Sequence, residues 1–296
     1  MGRPQLFGGG TLFKRLRQAV YLGSHPLSHL RCASIIRESR LARDWFIPMK
    51  YLGNHLALSL RAPQRRQALM GHYTTLPKLL QPSVRARLGA GILIWQKLLD
   101  RDCPPLSVIL EPSKLAPMEG ELQLRFSYRS DLCVLTFLLA PGRVFEIDAP
   151  SILFIGGVQG RFGSREEMRE ASRLNGEISP AAMLILAVQA IAKIMQVDEL
   201  VAIGEDDHIS MSYSPSKVMF DYRLFWTQAG GIRRGEHYRI PLESPQKPLL
   251  EIPLSHRGRT KRKREAKRLV RAAIERRLRQ IIVPALDAPA TAIAAE

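Results

Sequence analysis

The sequence predicts an α+β fold in which packed helices cover a mixed, largely antiparallel sheet, with a helical N-terminal part and a basic C-terminal helix. Three observations predict it. Apolar residues recur at helical spacing in the first hundred residues. Short segments rich in Val, Ile, Leu and Phe follow, separated by Pro, Gly, Ser and Asp. A segment with one apolar side and one Arg/Lys side lies near the C-terminus.

Residues 1–100 are predicted to form a helical N-terminal region. An amphipathic basic segment runs over residues 12–20, a second helix is expected over 34–46, and a third over 83–99. The basic segment over 12–20 suits either a packed helix whose charged face is solvated or a helix that lies on an anionic membrane.

Residues 101–256 are predicted to form the α+β sheet domain. Tyr128 to Asp131 is expected to be a hairpin turn between two strands. Ser179 is a suitable N-cap for a strong helix with Pro180 in its first turn. The predicted strands are LSVIL, ELQLRFSY, DLCVLTFLL, RVFEI, SILFIGGV, LVAIG and HYRIPL.

The charge of the chain is concentrated at both ends. The formal net charge is +17, of which residues 1–66 and residues 257–279 each contribute +10, while residues 67–256 sum to −1. Such basic ends favour a polyanionic partner, either an anionic membrane surface or an acidic protein. Nucleic acid is the less favoured partner because no recognised DNA- or RNA-binding module accompanies the basic residues.

The C-terminal basic segment is the clearest physical feature of the sequence. Residues 257–283 are predicted to form a basic amphipathic helix, and residues 284–296 a loose tail. The helix is either a polyanion-binding element or a solvated helix of unusual charge. The candidate polyanion-binding residues are Lys261, Arg262, Lys263, Arg264, Lys267, Arg268 and Arg271.

Composition restricts the class of protein. The chain has 296 residues, of which 46% are hydrophobic and 24% charged, which argues against disorder and against a multi-span membrane protein. The longest apolar run, Ala181 to Val188, is far shorter than a membrane-spanning helix requires. The three cysteines are widely spaced and indicate a reducing compartment. We therefore expect a cytoplasmic protein, either free or peripheral to the inner membrane.

Five short motifs follow one another along the chain: FIGGVQG from Phe154, LNGEISP from Leu174, EDDHI from Glu205, DYRLFW from Asp221 and HYRIP from His237. In that order, and with the closing basic helix, the chain resembles the VirK/YbjX family of bacterial proteins of unknown biochemical activity. The resemblance implies a virulence-associated factor that affects envelope integrity, surface-protein display or tolerance of cationic antimicrobial peptides. It supplies no catalytic residues.

The order of sheet, glycine-bearing strand end, helix and strand is similar to that of the acyl-CoA-dependent N-acetyltransferase fold. An acyl-CoA-type donor would place its pyrophosphate at a helix N-terminus, where free N–H groups favour an anion. The alternative is a bulge or strand end whose glycines permit close packing. Candidate donor-binding residues are Gly157, Gln159, Gly160, Arg161 and Gly163 in one loop, and Asn175, Gly176 and Ser179 in another.

Two residues are candidates for the chemistry. His208 follows a predicted strand and could act as a general base, and Tyr222 could act as the acid in amine acylation. The alternatives are a polar turn for His208 and aromatic core packing for Tyr222. Consecutive residues of an extended chain alternate in direction, so Glu205 to His208 cannot all converge on one ion and no metal site is predicted.

The sequence thus leaves three functions open. The first is acyl transfer from an acyl-CoA or related donor in a VirK-like envelope factor. The second is a non-enzymatic factor that binds a membrane surface or a protein, and the third is nucleic-acid binding through the basic ends. Substrate, ligand and oligomeric state are not determined by the sequence.

Overall fold

A computed structural model describes residues 12–42, 44–100, 103–212 and 220–282, with the side chains of residues 12–17 excepted. The helices are α1 (Leu12–Ser24), α2 (Pro26–Ser39), α3 (Ala62–Leu79), α4 (Pro82–Arg87), α5 (Arg165–Leu174), α6 (Pro180–Ile194), α7 (Tyr222–Gln228) and α8 (Leu254–Leu278). The strands are β1 (Ile92–Lys97), β2 (Leu106–Pro112), β3 (Leu122–Tyr128), β4 (Ser130–Ala140), β5 (Ile152–Gly160), β6 (Glu199–Ile203), β7 (Ile232–Arg234) and β8 (His237–Ile240).

The strands form one open mixed sheet in the order β1-β2-β3-β4-β5-β6-β8-β7. Every neighbouring pair is antiparallel except β5 and β6, which are parallel and are joined by α5 and α6. A parallel pair needs a crossover connection of this kind, and helices are the usual solution. The α+β class and the mostly antiparallel sheet predicted from the sequence are confirmed.

Helices cover both faces of the centre of the sheet. Every residue of β4 from Leu132 to Ala140 is buried, and because successive side chains point to opposite faces, both faces must be packed. The helices α3 and α6 both contact β4. The helix α8 contacts both α6 and β1, and its buried Val270, Ile274 and Leu278 share the main core. Of the residues that the sequence assigns to the apolar side of this helix, these three are buried as expected, whereas Leu269 and Ala273 are exposed.

The N-terminal helices form a smaller core of their own. Cys32 and Ile36 of α2 pack with Leu69 and Tyr73 of α3 and with the buried Tyr51 between them. The segment that follows Tyr51 is tied to the far end of the sheet domain, because the Asp207 carboxylate accepts hydrogen bonds from the backbone N–H and the hydroxyl of Ser59. These contacts position the residues that later surround the candidate site.

Several local predictions are confirmed and others are wrong. Ser179 caps α6 as expected, and the turn at Arg129 joins β3 to β4. The helix expected over residues 83–99 ends at Arg87, and Ile92–Lys97 is strand β1, because pairing with β2 overrides the apolar spacing. The RVFEI segment, expected to be a strand, begins with a 3₁₀ turn at Gly142–Phe145. The predicted tail over 284–296 lies outside the described residues.

Within the described residues, no helix is both long and apolar enough to cross a membrane.

Candidate functional site

The middle of β5 carries a bulge that brings Glu119 into the sheet. The register of β5 against β4 shifts at Gly156, which is an extra residue between the pairs formed by Ile155 and Gly157. A Cβ on Gly156 would lie 1.8 Å from the Glu119 carbonyl oxygen, and one on Gly157 would lie 2.1 Å from its carboxyl oxygen. The two glycines are therefore needed because Glu119 occupies the space of their side chains.

The Glu119 carboxyl is buried and has no cationic partner among the described residues. Gln159 donates from Nε2 to Oε1 at 2.6 Å, and the Thr136 hydroxyl donates to Oε2 at 3.3 Å. Burial raises the pKa of Glu119 to about 7, and these two hydrogen bonds offset only part of that rise. A carboxyl of this kind exchanges its proton near neutral pH, which suits general acid–base chemistry.

His208 lies beside Glu119 as a neutral imidazole. Burial lowers the pKa of His208 to about 4. The backbone N–H of Ser210 donates to Nδ1 at 3.2 Å, so Nδ1 is the acceptor and Nε2 carries the proton. Nε2 then donates to the Tyr222 hydroxyl at 3.2 Å and lies 3.5 Å from the Glu119 carboxyl. The structure therefore brings together His208 and Tyr222, which the sequence singled out separately.

Tyr222 is the first residue of α7, and α7 fills a gap in the sheet. The pairing of β5 with β6 stops at Ile155, although β5 continues to Gly160. Beyond that point the Tyr222 hydroxyl accepts from the backbone N–H of Val158 and donates to its carbonyl, and Trp226 donates from its indole to the Ile203 carbonyl. Backbone groups left without a strand partner are thus satisfied by aromatic side chains. Burial raises the pKa of Tyr222 well above its usual value.

A second buried glutamate lies two residues from the first. Glu121 accepts from the Lys50 ammonium at 2.9 Å, from His55 at 3.0 Å and from the Tyr73 hydroxyl at 2.6 Å. Burial alone would raise the pKa of Glu121, but the Lys50 charge and the hydrogen bond from His55 outweigh it and hold this pKa well below its ordinary value. Glu121 and Lys50 also line a cavity of about 410 Å³.

The first predicted donor-binding loop lies next to Glu119. Gln159, Gly160 and Arg161 are exposed at the end of β5, with the Gln159 amide over the carboxyl. Gly163 is also exposed and has a φ of +77°. Gly157 faces Glu119 rather than solvent.

The second predicted loop lies elsewhere. The Ser179 hydroxyl caps α6 by accepting from the Ala182 N–H, Asn175 is buried, and Gly176 packs against Ala266 of α8. The helix α5 separates this turn from the first loop, and its ten residues span about 15 Å at 1.5 Å per residue. The two loops therefore do not form one phosphate site.

The acidic run before His208 spreads to different partners. Glu205 and Asp206 both accept from the exposed Arg233, while Asp207 binds Ser59. Residues 205–207 form a turn, in which the neighbours Glu205 and Asp206 share one partner and Asp207 faces another.

Five of the seven predicted polyanion-binding residues line one cavity beside α8. They are Lys263, Arg264, Lys267, Arg268 and Arg271. Lys261 and Arg262 are exposed on the same helix and do not line it.

Sequence reasoning missed Glu119 and its neighbour Glu121. The available signal was the pattern Glu-Gly-Glu directly before an apolar strand. Residues two apart face the same side of an extended chain, so both glutamates could turn towards the buried side. It missed Lys50, His55 and Tyr73 as well, because their convergence depends on the packing of the N-terminal helices onto the sheet.

Comparison with known proteins agrees with the resemblance drawn from the motifs. A family model described as a protein of unknown function (DUF535) matches residues 30–269. The uncharacterized protein YbjX of Escherichia coli (strain K12) is 26% identical over 235 residues, which cover 76% of this chain and 70% of that protein. No solved structure matches the chain significantly. The chain therefore belongs to the DUF535 family, whose function is unknown.

Proposed function

We propose that this protein is an acyltransferase that takes its acyl group from an acyl-CoA-type thioester, with Glu119 as the general base. The observation that carries the proposal is a buried carboxyl with a pKa of about 7 at the bulge where β5 parts from β6. General acid–base catalysis is most efficient when the pKa of the group lies near the working pH. The similarity of layout to the acyl-CoA-dependent N-acetyltransferase fold supports the same class of reaction.

The proposed step transfers an acyl group to an amine. The amine nitrogen attacks the thioester carbonyl carbon, a C–N bond forms, and the C–S bond breaks. The Glu119 carboxylate takes the proton that the amine loses and, once protonated, returns a proton to the departing thiolate. A single carboxyl with a pKa near 7 can serve in both directions. His208, neutral at this pH, positions the Tyr222 hydroxyl and does not transfer the proton.

The donor is placed along the exposed end of β5, from Gln159 to Gly163. The pantetheine arm of CoA is extended and carries two amides, so it can add to a strand end as a peptide does. Gln159 must move its amide from Glu119 for the thioester to reach the carboxyl. The acceptor class, a component of the bacterial envelope, follows from the VirK/YbjX resemblance alone.

A thermal-shift screen with CoA, acetyl-CoA, long-chain acyl-CoA and tripolyphosphate tests donor binding. A ligand at 100 times its Kd stabilises the native state by about 2.7 kcal/mol. We expect CoA compounds to raise Tm and tripolyphosphate not to, and Gln159→Ala to abolish the shift. Asn175→Ala, in the loop on the other side of α5, should retain it. Equal shifts with every polyanion, or no shift, would overturn the proposal.

Release of CoA thiol in the presence of polyamines or lysyl peptides, measured from pH 5 to 9, tests the base. We expect kcat/KM to rise with pH through about 7 and Glu119→Gln to lose the rise together with most of the activity. An activity that Glu119→Gln leaves unchanged would remove Glu119 from the mechanism.

A further inference from the structure

A large basic cavity lies between α8 and the chain segment of residues 243–252. Its volume is about 680 Å³, which is within the usual range for ligand sites. Seven Lys or Arg side chains line it, and Glu243 is the one acid among the lining residues. Leu186 and Ile252 give part of the wall an apolar character. The cavity thus combines strong positive charge with apolar surface.

Part of this positive charge is not neutralised within the protein. Arg268 pairs with Glu265, and Arg271 donates to Gln189. The Lys263 and Lys267 ammonium groups form no ion pair with any residue that the structure describes. Burial and the charges of Lys263 and Arg271 lower the pKa of Lys267. An anion that enters the cavity would relieve this repulsion.

Two exposed leucines lie at the turn that borders the cavity. The Leu250 side chain is 82% exposed and Leu254 is 79% exposed. Arg257 of α8 holds the turn in place by donating to the Leu250 and Ile252 carbonyls at 3.0 and 2.8 Å. A single exposed leucine needs no explanation, but here two are held beside a cationic cavity. This combination is typical of surfaces that bind an anionic membrane.

We propose that α8 and the turn at residues 248–254 form a docking surface for an anionic phospholipid membrane. The lipid phosphate occupies the basic cavity, and Leu250 and Leu254 insert at the boundary of the acyl chains. A nucleic acid would gain nothing from the leucines, and among the lining residues His256 is the one with a ring suited to stacking on bases. The proposal does not depend on acyl transfer, because the cavity lies on the α8 side of α6 and shares no residue with the Glu119 site.

Sedimentation of the protein with vesicles tests the surface. We would compare phosphatidylcholine vesicles with vesicles containing 30% phosphatidylglycerol, and expect binding only to the latter. Each basic residue near an anionic surface is worth about fivefold in binding, so Lys263→Gln/Lys267→Gln should weaken binding about 25-fold. Leu250→Ser/Leu254→Ser should weaken it at least tenfold. Circular dichroism would confirm that each variant is folded.

The matched control is Lys261→Gln/Arg262→Gln, which removes the same charge from the same helix outside the cavity. We expect it to lose less than about threefold. Equal losses of vesicle binding in the two lysine and arginine double variants would show that the cavity is not the binding site and that only the diffuse charge of the helix contributes. If free tripolyphosphate abolishes vesicle binding and the leucine variant still binds, the ligand of the cavity would be a soluble phosphate in place of the membrane. Tighter binding to RNA than to anionic vesicles would overturn the proposal altogether.

Discussion

Glu119 and Glu121 lie two residues apart and are both buried, but the pKa of the first carboxyl is raised and that of the second is lowered. The Lys50 ammonium, His55 and Tyr73 surround Glu121, so its carboxylate remains ionised. Glu119 has neutral partners, and its pKa rises to about 7. Burial is common to both glutamates, so the presence of a cation decides which of them is a fixed charge and which can exchange a proton. This difference distinguishes a structural cluster from a candidate catalytic one.

The largest effect is expected when the fixed charge is removed. Glu121→Gln leaves the buried Lys50 charge without a partner, which typically costs about 3–5 kcal/mol. Because folding lowers the pKa of Glu121, its ionised carboxylate stabilises the fold fully at pH values above 4.5, the pKa of the unfolded state. This stabilisation is lost as the pH falls towards the pKa of the folded state. Urea denaturation should therefore show the full loss at pH 7 and a smaller one below pH 4.5.

The control for this prediction is the double variant Lys50→Met/Glu121→Gln. Replacing both members of a buried ion pair by residues of similar volume is often close to neutral. We expect the double variant to recover most of the stability. A double variant as unstable as Glu121→Gln would show that the ion pair is not what holds this region together.

The second effect should have the opposite sign. Glu119→Gln is expected to be more stable than the wild type at high pH, because the buried wild-type carboxyl must ionise there. Because folding raises the pKa of Glu119 from 4.5 to about 7, the wild type has its full stability below pH 4.5 and loses part of it as the pH rises through about 7. The shift in pKa corresponds to a loss of about 3 kcal/mol in the free energy of unfolding. Denaturation at pH 5, 6, 7 and 8 should show the gap between variant and wild type widening and then levelling off. A constant gap would contradict the raised pKa.

The same comparison explains what the sequence could predict. Strands β2 to β5, the Ser179 cap and the buried side of α8 follow from local periodicity and turn chemistry, and they are present. His208 was identifiable as a polar residue after a predicted strand, and Tyr222 as a member of an aromatic cluster. Their contact with each other and with Glu119 depends on a bulge at Gly156 and on a gap between β5 and β6, which are tertiary features. Local pattern carries no information about them.

Lys50, the cationic partner of Glu121, could not be recognised from the sequence either. Lys50 belongs to a run of basic N-terminal residues that sequence charge counts treat alike. Nothing in its sequence neighbours distinguishes it from a solvated lysine, yet its ammonium is buried on Glu121. A charge sum therefore predicted a basic surface where one member of the set is an internal counter-ion.

The smallest effect is expected at Tyr222, where the Glu119 region depends on neutral hydrogen bonds. Tyr222→Phe removes the hydroxyl that satisfies both backbone groups of Val158, and leaving buried polar groups unsatisfied costs about 1–3 kcal/mol. Tyr238→Phe makes the same deletion where the hydroxyl donates to the partly exposed Glu205, and should cost about 0.5 kcal/mol or less. Thermal denaturation of both variants measures the difference. Equal losses would mean that the Tyr222 hydroxyl does not hold the end of β5 that extends beyond its pairing with β6.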